Sequence, residues 1–149
     1  MPKLILTFNT STTPKQFIDA LIDFNPNRGV MWANSTSDYL EVHAKEETFA
    51  DVTEGSAVFG GVWERLHYDW SNPNKVILKT VDSNVWSNKS SWTYDMTPTP
   101  DGNSTIIKCT VERFPISNKG RFLIAFVSIY GRRLLRKDLD KLLKTIESR

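Results

Sequence analysis

The sequence predicts an α+β fold in a single domain over residues 1–149: an antiparallel sheet of about seven strands, two short helices after strand one and a long C-terminal helix. Three observations predict it. The order is one strand, two helical pieces, a run of strands, then a helix, which is not the alternation of a βαβ chain. The strands are joined mainly by short turns, as in an antiparallel meander. Residues Asn118–Ser148 carry the helical period.

Strand one is Lys3–Asn9, where Leu4, Leu6 and Phe8 alternate with Lys3, Ile5 and Thr7. A helix opens at Thr13-Pro14, with Thr13 as N-cap and Pro14 at the first helical position. Phe17, Ile18, Leu21 and Ile22 form its apolar stripe. After Phe24-Asn25-Pro26-Asn27-Arg28 a second short helix or turn leads to Met31 and Trp32. Tyr39–Ala44 and Thr48–Thr53 follow as strands around Lys45-Glu46-Glu47. Glu54–Gly61 reads as a glycine-containing connection to the strand Val62–Trp70. Asn72-Pro73-Asn74 turns into Val76–Asp82, Ser87-Asn88-Lys89 into Ser90–Thr97, and Pro100-Asp101-Gly102-Asn103 into Thr105–Phe114, which Pro115 ends.

The long helix has Asn118 or Ser117 as its cap. Phe122–Tyr130 is apolar almost all round and therefore expected to be surrounded. At nine residues it is too short for a bilayer, which takes roughly 20, so no transmembrane segment is expected. From Gly131 on the helix is amphipathic, with Leu135, Leu139, Leu142 and Ile146 on one stripe. Gly131, after Tyr130, either permits a bend or close packing or simply avoids a clash.

Charge and motifs exclude more than they assign. The net charge is +2, but Lys119–Arg149 holds nine Lys/Arg against three Asp/Glu. A solvated helix face accounts for this, and no nucleic-acid partner is expected. One cysteine, Cys109, permits no disulfide within the chain and points to a cytoplasmic location, as does a start with no signal-peptide pattern. His43 and His67 fall on different strands without ligand spacing, so no metal and no cofactor are expected. There is no Gly-x-Ser-x-Gly elbow, P-loop or dinucleotide fingerprint. Arg65, His67 and Asp69 share one strand face and either line a cavity mouth or form a solvated surface. Glu64 shares the face of Leu66 and Tyr68, as a buried polar anchor or a sheet-edge residue. That face, with Trp92, Tyr94 and Met96 of the neighbouring segment, is rich in aromatics with polar tips. Facing an apolar helix it suits either a pocket for an apolar ligand or a core filled by aromatics.

These segments together resemble the helix-grip fold of the START-like, Bet v 1-like (SRPBCC) superfamily, in particular bacterial members of the polyketide cyclase/dehydrase-like group. The residues that carry the resemblance are Thr13-Pro14, Val62–Trp70 with its Ser-Asn-Pro-Asn turn, Asp82–Trp86, Ser90-Ser-Trp92, the Thr97-Pro98…Asp101-Gly102 hairpin and Gly131–Arg136. The resemblance implies a curved sheet wrapped around the long helix, with an internal cavity between them. It implies binding of an apolar or amphipathic small molecule, lipid- or polyketide-like, with a cyclase/dehydratase-type enzyme in the same cavity as the alternative. Trp32, Leu66, Tyr68, Trp92, Tyr94, Phe122, Phe126 and Tyr130 are the expected ligand-lining residues, Trp32 from its place after the short helices. A third reading has Phe122–Tyr130 or the basic helix face docking a partner chain or an anionic membrane. Catalytic residues, ligand identity and oligomeric state stay open.

Overall fold

The fold is described from a computed structural model covering residues 3–30, 32 and 35–148. Met31, where the second helical piece was expected to lead, lies outside the described residues. Alternating residues build β1 (Lys3–Thr10), with Leu6 and Phe8 inward. Thr13 then caps α1 (Pro14–Leu21) in a reciprocal capping box with Gln16. A 3₁₀ turn, Pro26–Val30, follows. Five strands come next: β2 (Glu41–Lys45), β3 (Phe49–Ser56), β4 (Val62–Asn72), β5 (Lys75–Ser83) and β6 (Ser91–Pro98). The last strand is β7 (Thr105–Glu112). The expected connection after Thr53 begins as strand: β3 runs on through Glu54 to Ser56, and the connection proper is Ala57–Gly61, with a 3₁₀ turn at Val58–Gly60.

The seven strands form one antiparallel sheet in the order β1-β7-β6-β5-β4-β3-β2. The C-terminal helix runs as α2 (Asn118–Phe126), a π-helical turn Val127–Gly131 and α3 (Arg132–Glu147). Of the two candidate caps, Ser117 is the one used; its hydroxyl accepts from the Gly120 N–H. This is the helix-grip fold that the sequence resembles.

The helix is held at both ends and spans a gap between them. Gly120 packs so closely that a Cβ would lie 2.5 Å from the Val85 carbonyl oxygen and 3.0 Å from Pro115 Cβ. At the other end Leu139, Leu142, Leu143 and Ile146 of α3 are buried in one core with the sheet and with Phe17, Ile18 and Leu21 of α1. Arg132 and Arg136 donate to the Ile5 and Thr7 carbonyls of the edge strand β1, so part of the basic face satisfies an open sheet edge. The expectation that Phe122–Tyr130 is surrounded fails. Phe122 is 57% exposed, Ile129 72% and Tyr130 49%, while Leu123 is the buried apolar side chain of α2. The segment bridges the gap between two anchors, so its outer flank is left largely open. No helix among the described residues is long and apolar enough to cross a membrane.

Candidate functional site: a cavity between sheet and helix

Beneath the bridging segment lies a cavity of about 430 Å³. Its floor is the inward face of β3–β7, where alternation places Leu66, Tyr68, Leu78, Trp92, Tyr94 and Val111. Its roof is Leu123, Phe126, Val127 and Gly131, continuing into Leu134 and Leu135. Val58, Phe59 and Leu134 line the cavity and are also exposed, so they mark its rim. The rim is fastened by rings. Phe59 holds φ at +50°, ahead of Gly60 and Gly61 at +81° and +111°, and its ring meets Phe122 and Phe126 at 5.6 Å each. A bulky residue at positive φ is uncommon and needs surrounding contacts to hold it.

Six of the eight expected lining residues border the cavity: Trp32, Leu66, Tyr68, Trp92, Tyr94 and Phe126. Phe122 and Tyr130 do not. They stand on the outer flank of the helix, Phe122 against Phe59 and Tyr130 against Phe126 at 5.1 Å. The inward row is Leu123, Val127 and Gly131 at steps of four; of the residues one position earlier, Phe126 at mid-span still borders the cavity and Phe122 and Tyr130 do not.

The polar content of the wall was mostly not anticipated. At one point Arg28, Ser35, Glu54 and Tyr68 form a buried network. Arg28 Nε donates to Glu54 Oε1 (2.9 Å) and Ser35 Oγ (3.1 Å), Nη1 to the Asp23 carbonyl (2.9 Å) and Nη2 to the Tyr68 hydroxyl (3.1 Å). The Ser35 hydroxyl donates to Glu54 Oε1 and the Tyr68 hydroxyl to Glu54 Oε2. Burial, then the Glu54 charge, pushes the Tyr68 hydroxyl well above its ordinary value. Burial alone would lower the Arg28 guanidinium, but Tyr68 and Glu54 outweigh it and hold it above its usual value. Phe24 and Trp32 lie 4.7 and 5.5 Å from that guanidinium.

Glu64 begins a second network. Its Oε2 accepts from Arg113 Nη1 (2.9 Å) and Thr80 Oγ1 (2.8 Å). The pair is largely buried, with side-chain exposures of 5% for Arg113 and 15% for Glu64. Thr80 continues Val76 and Leu78 at steps of two and is buried with them, and the bulge between Arg65/Leu66 on β4 and Asp82/Thr80 on β5 then brings Ser83 inward. Of the two readings open for Glu64, the cavity wall is its place.

The Arg65, His67 and Asp69 set takes the outer face. Arg65 forks onto Asp51 at 2.8 and 2.7 Å and holds that carboxyl below the usual range. His67 stacks on Phe49 at 5.5 Å, and Asp69 accepts from the Ser71 N–H. Among the described residues no group of His, Cys, Asp and Glu is arranged to hold a metal. Cys109 is buried, and burial pushes its thiol up to about 12.

Sequence comparison finds no match, neither a family model nor a curated protein. Solved structures do match. The Zhui aromatase/cyclase from Streptomyces sp. R1128 is similar at TM-score 0.70 and 9% identity, covering 98% of this chain and 93% of that one. A START superfamily protein from Mycobacterium smegmatis matches at TM-score 0.66 and 10% identity, over 97% and 98% of the two chains. Ginseng major latex-like protein 151 from Panax ginseng matches at TM-score 0.56 and 11% identity, over 95% and 97%. Identities this low establish a shared fold and leave function to the site.

Proposed function

We propose that this protein binds an apolar or amphipathic small molecule, lipid- or polyketide-like, in the cavity between the sheet and the C-terminal helix. The observation that carries the reading is the cavity itself, about 430 Å³ and walled mainly by aliphatic and aromatic side chains with a few convergent polar groups. That size and lining suit a small-molecule site. The fold shared with a START superfamily protein and with an aromatase/cyclase adds support by analogy. The reading takes residues 1–149 as one domain, acting in the cytoplasm without a nucleic-acid partner or a cofactor.

The test is native mass spectrometry of the protein as purified, beside a denatured control, with 1-anilinonaphthalene-8-sulfonate added to any apo fraction. The expected result is a bound mass of a few hundred daltons, or saturable probe binding, weakened by Trp92→Ala. An apo mass together with no saturable probe binding overturns it.

A cyclase/dehydratase-type reaction in the same cavity is the second reading. Glu64 favours it: its carboxylate is on the wall and only one of its oxygens is engaged. The test is whether Glu64→Gln abolishes turnover of a poly-β-carbonyl substrate while leaving its binding intact.

A further inference from the structure

The buried faces of α2 and α3 are out of phase, and the π turn between them makes up the difference. At 3.6 residues per turn, an α-helix continuing α2 without interruption would bring Tyr130 to within about 20° of the buried Leu123 and leave Gly131 about 80° away. Counted back from α3 the order reverses: Gly131 falls within about 20° of the buried Leu142, and Tyr130 lies about 120° from it. A π turn closes its hydrogen bonds over five residues instead of four, so it takes up one residue beyond the α count. Seated at Val127–Gly131, it ends the phase of α2 before Tyr130. Gly131 therefore lines the cavity, and Tyr130 stands half-exposed on the outer flank. The anchors at Gly120 and at Leu139, Leu142 and Ile146 fix the phase at each end, so the extra residue has to sit between them. They do not fix where between them it sits. Its seat here is marked by a loosened ladder and a tight contact. The Ser128 hydroxyl donates to the Ile124 carbonyl (2.8 Å), and a Cβ on Gly131 would lie 2.7 Å from Val127 Cγ1.

We propose that the π turn exchanges between this seat and one a turn nearer the C-terminus, and that in the second Tyr130 faces inward as a plug that a ligand must displace. The inference rests on the cavity-binding reading above. With the extra residue taken up after Tyr130, α2 geometry runs on through that position and turns its ring toward the cavity, while Leu123 and the α3 leucines from Leu139 on stay seated. The exchange costs the Arg132 bond to the Ile5 carbonyl. In return it buries a half-exposed ring, takes up part of the cavity and frees Gly131 from Val127. A ligand occupies the same space as the plug, so it binds the arrangement with Tyr130 outside and shifts the population toward it. Ile129 lies about 120° from Leu123 by the same count and stays outside in both arrangements.

The experiment is fluorescence titration of the whole chain with 1-anilinonaphthalene-8-sulfonate at pH 7, in wild type, Tyr130→Ala and Ile129→Ala. A plug populated to about 70–90% weakens the apparent affinity about three- to tenfold, because only the remaining fraction can bind. Tyr130→Ala is therefore expected to bind about three- to tenfold more tightly than wild type, and Ile129→Ala to bind like wild type. A second readout follows Tyr130 directly. In protein labelled with 3-fluorotyrosine, with Tyr130→Phe identifying the line, a water-soluble gadolinium chelate is expected to broaden the Tyr130 fluorine signal more strongly once the probe is bound. Equal or weaker binding by Tyr130→Ala overturns the plug and leaves cavity binding standing, as does an equal gain in Ile129→Ala. A Tyr130 signal broadened alike with and without the probe overturns it too. No binding in any of the three proteins removes the cavity reading and the plug with it.

Discussion

Glu54→Gln breaks the most buried ion pair of the cavity wall. The side chains of Arg28 and Glu54 keep 2% and 8% exposure, so the substitution leaves a guanidinium in the interior with its counter-charge gone. Breaking a buried pair from one side typically costs about 3–5 kcal/mol. For a chain of 149 residues that lowers Tm by about 6–20 °C at roughly 2–4 °C per kcal/mol. Removing both partners is a different perturbation. Arg28→Met/Glu54→Leu strands no charge, but leaves the Asp23 carbonyl and the Tyr68 and Ser35 hydroxyls short of partners. The double variant is therefore expected to be less destabilised than Glu54→Gln alone, with a residual loss of about 1–3 kcal/mol. Urea unfolding at pH 7, followed by tryptophan fluorescence, measures both. A loss under about 1 kcal/mol in Glu54→Gln, or a double variant less stable than the single, refutes the account of a charge held only by its partner.

Gly131→Ala is expected to destabilise, against the usual gain of about 1 kcal/mol for Gly→Ala inside a helix. The new Cβ would sit 2.7 Å from Val127 Cγ1, an overpacking worth roughly 1–3 kcal/mol that Val127→Ala in the same chain relieves; thermal melts of the three variants decide it. Cys109 retains its proton in the fold up to about 12, whereas an unfolded thiol ionises near 8.5. Between those values the native state holds the extra proton, so stability falls as pH rises, by up to about 1.4 kcal/mol per unit for this one group. Iodoacetamide at pH 8 should modify Cys109 only on unfolding, and rapid labelling of the native protein would contradict its burial. Glu147 accepts from the Ser11 hydroxyl and N–H, which lowers its carboxyl below the usual range and ties the helix end to the β1–α1 turn. Its contribution is present above the ordinary glutamate value and lost as pH falls through the lowered one; Glu147→Gln should flatten the acid limb of a stability–pH curve.

Elements with strong periodicity or a cap were legible in the sequence. The Thr13-Pro14 start, the seven strands, the α3 stripe and the antiparallel order all follow from alternation, turn residues and capping chemistry. Of the polar half of the cavity, alternation puts Glu64 on the face of Leu66 and Tyr68, while Glu54 falls in a stretch whose glycines read as a connection. Alternation itself carried the signal. Glu54 continues Ala50 and Val52 at steps of two, and Arg113 continues Ile107, Cys109 and Val111. Both are inside by position, whatever their polarity. Arg28 had no such period to betray it, since it sits on a single 3₁₀ turn and reaches its partners 26 and 40 residues away. Thr80 is inside by the same alternation, since it continues Val76 and Leu78 on β5; a bulge after it shifts the inward phase by one residue, to Ser83.

Phe122 and Tyr130 show why an all-round apolar segment does not imply an all-round coat. A helix packed along its whole length needs core side chains throughout. This one is pinned by Gly120 at one end and by the leucines of α3 at the other. The stretch between departs from α geometry in the π-helical turn at Val127–Gly131, with a glycine facing inward where a side chain would add volume. A close-packed interior leaves few voids, so a gap of this size persists only where the covering element is held away from the sheet. The two anchors and the spanning turn do that, and the apolar outer flank is what remains of a segment whose inner side alone meets the cavity. The same construction separates the two carboxylate–arginine pairs. Glu54, saturated by Arg28, Ser35 and Tyr68, braces the wall against the 3₁₀ turn, while Glu64 is met by Arg113 and Thr80 on one oxygen.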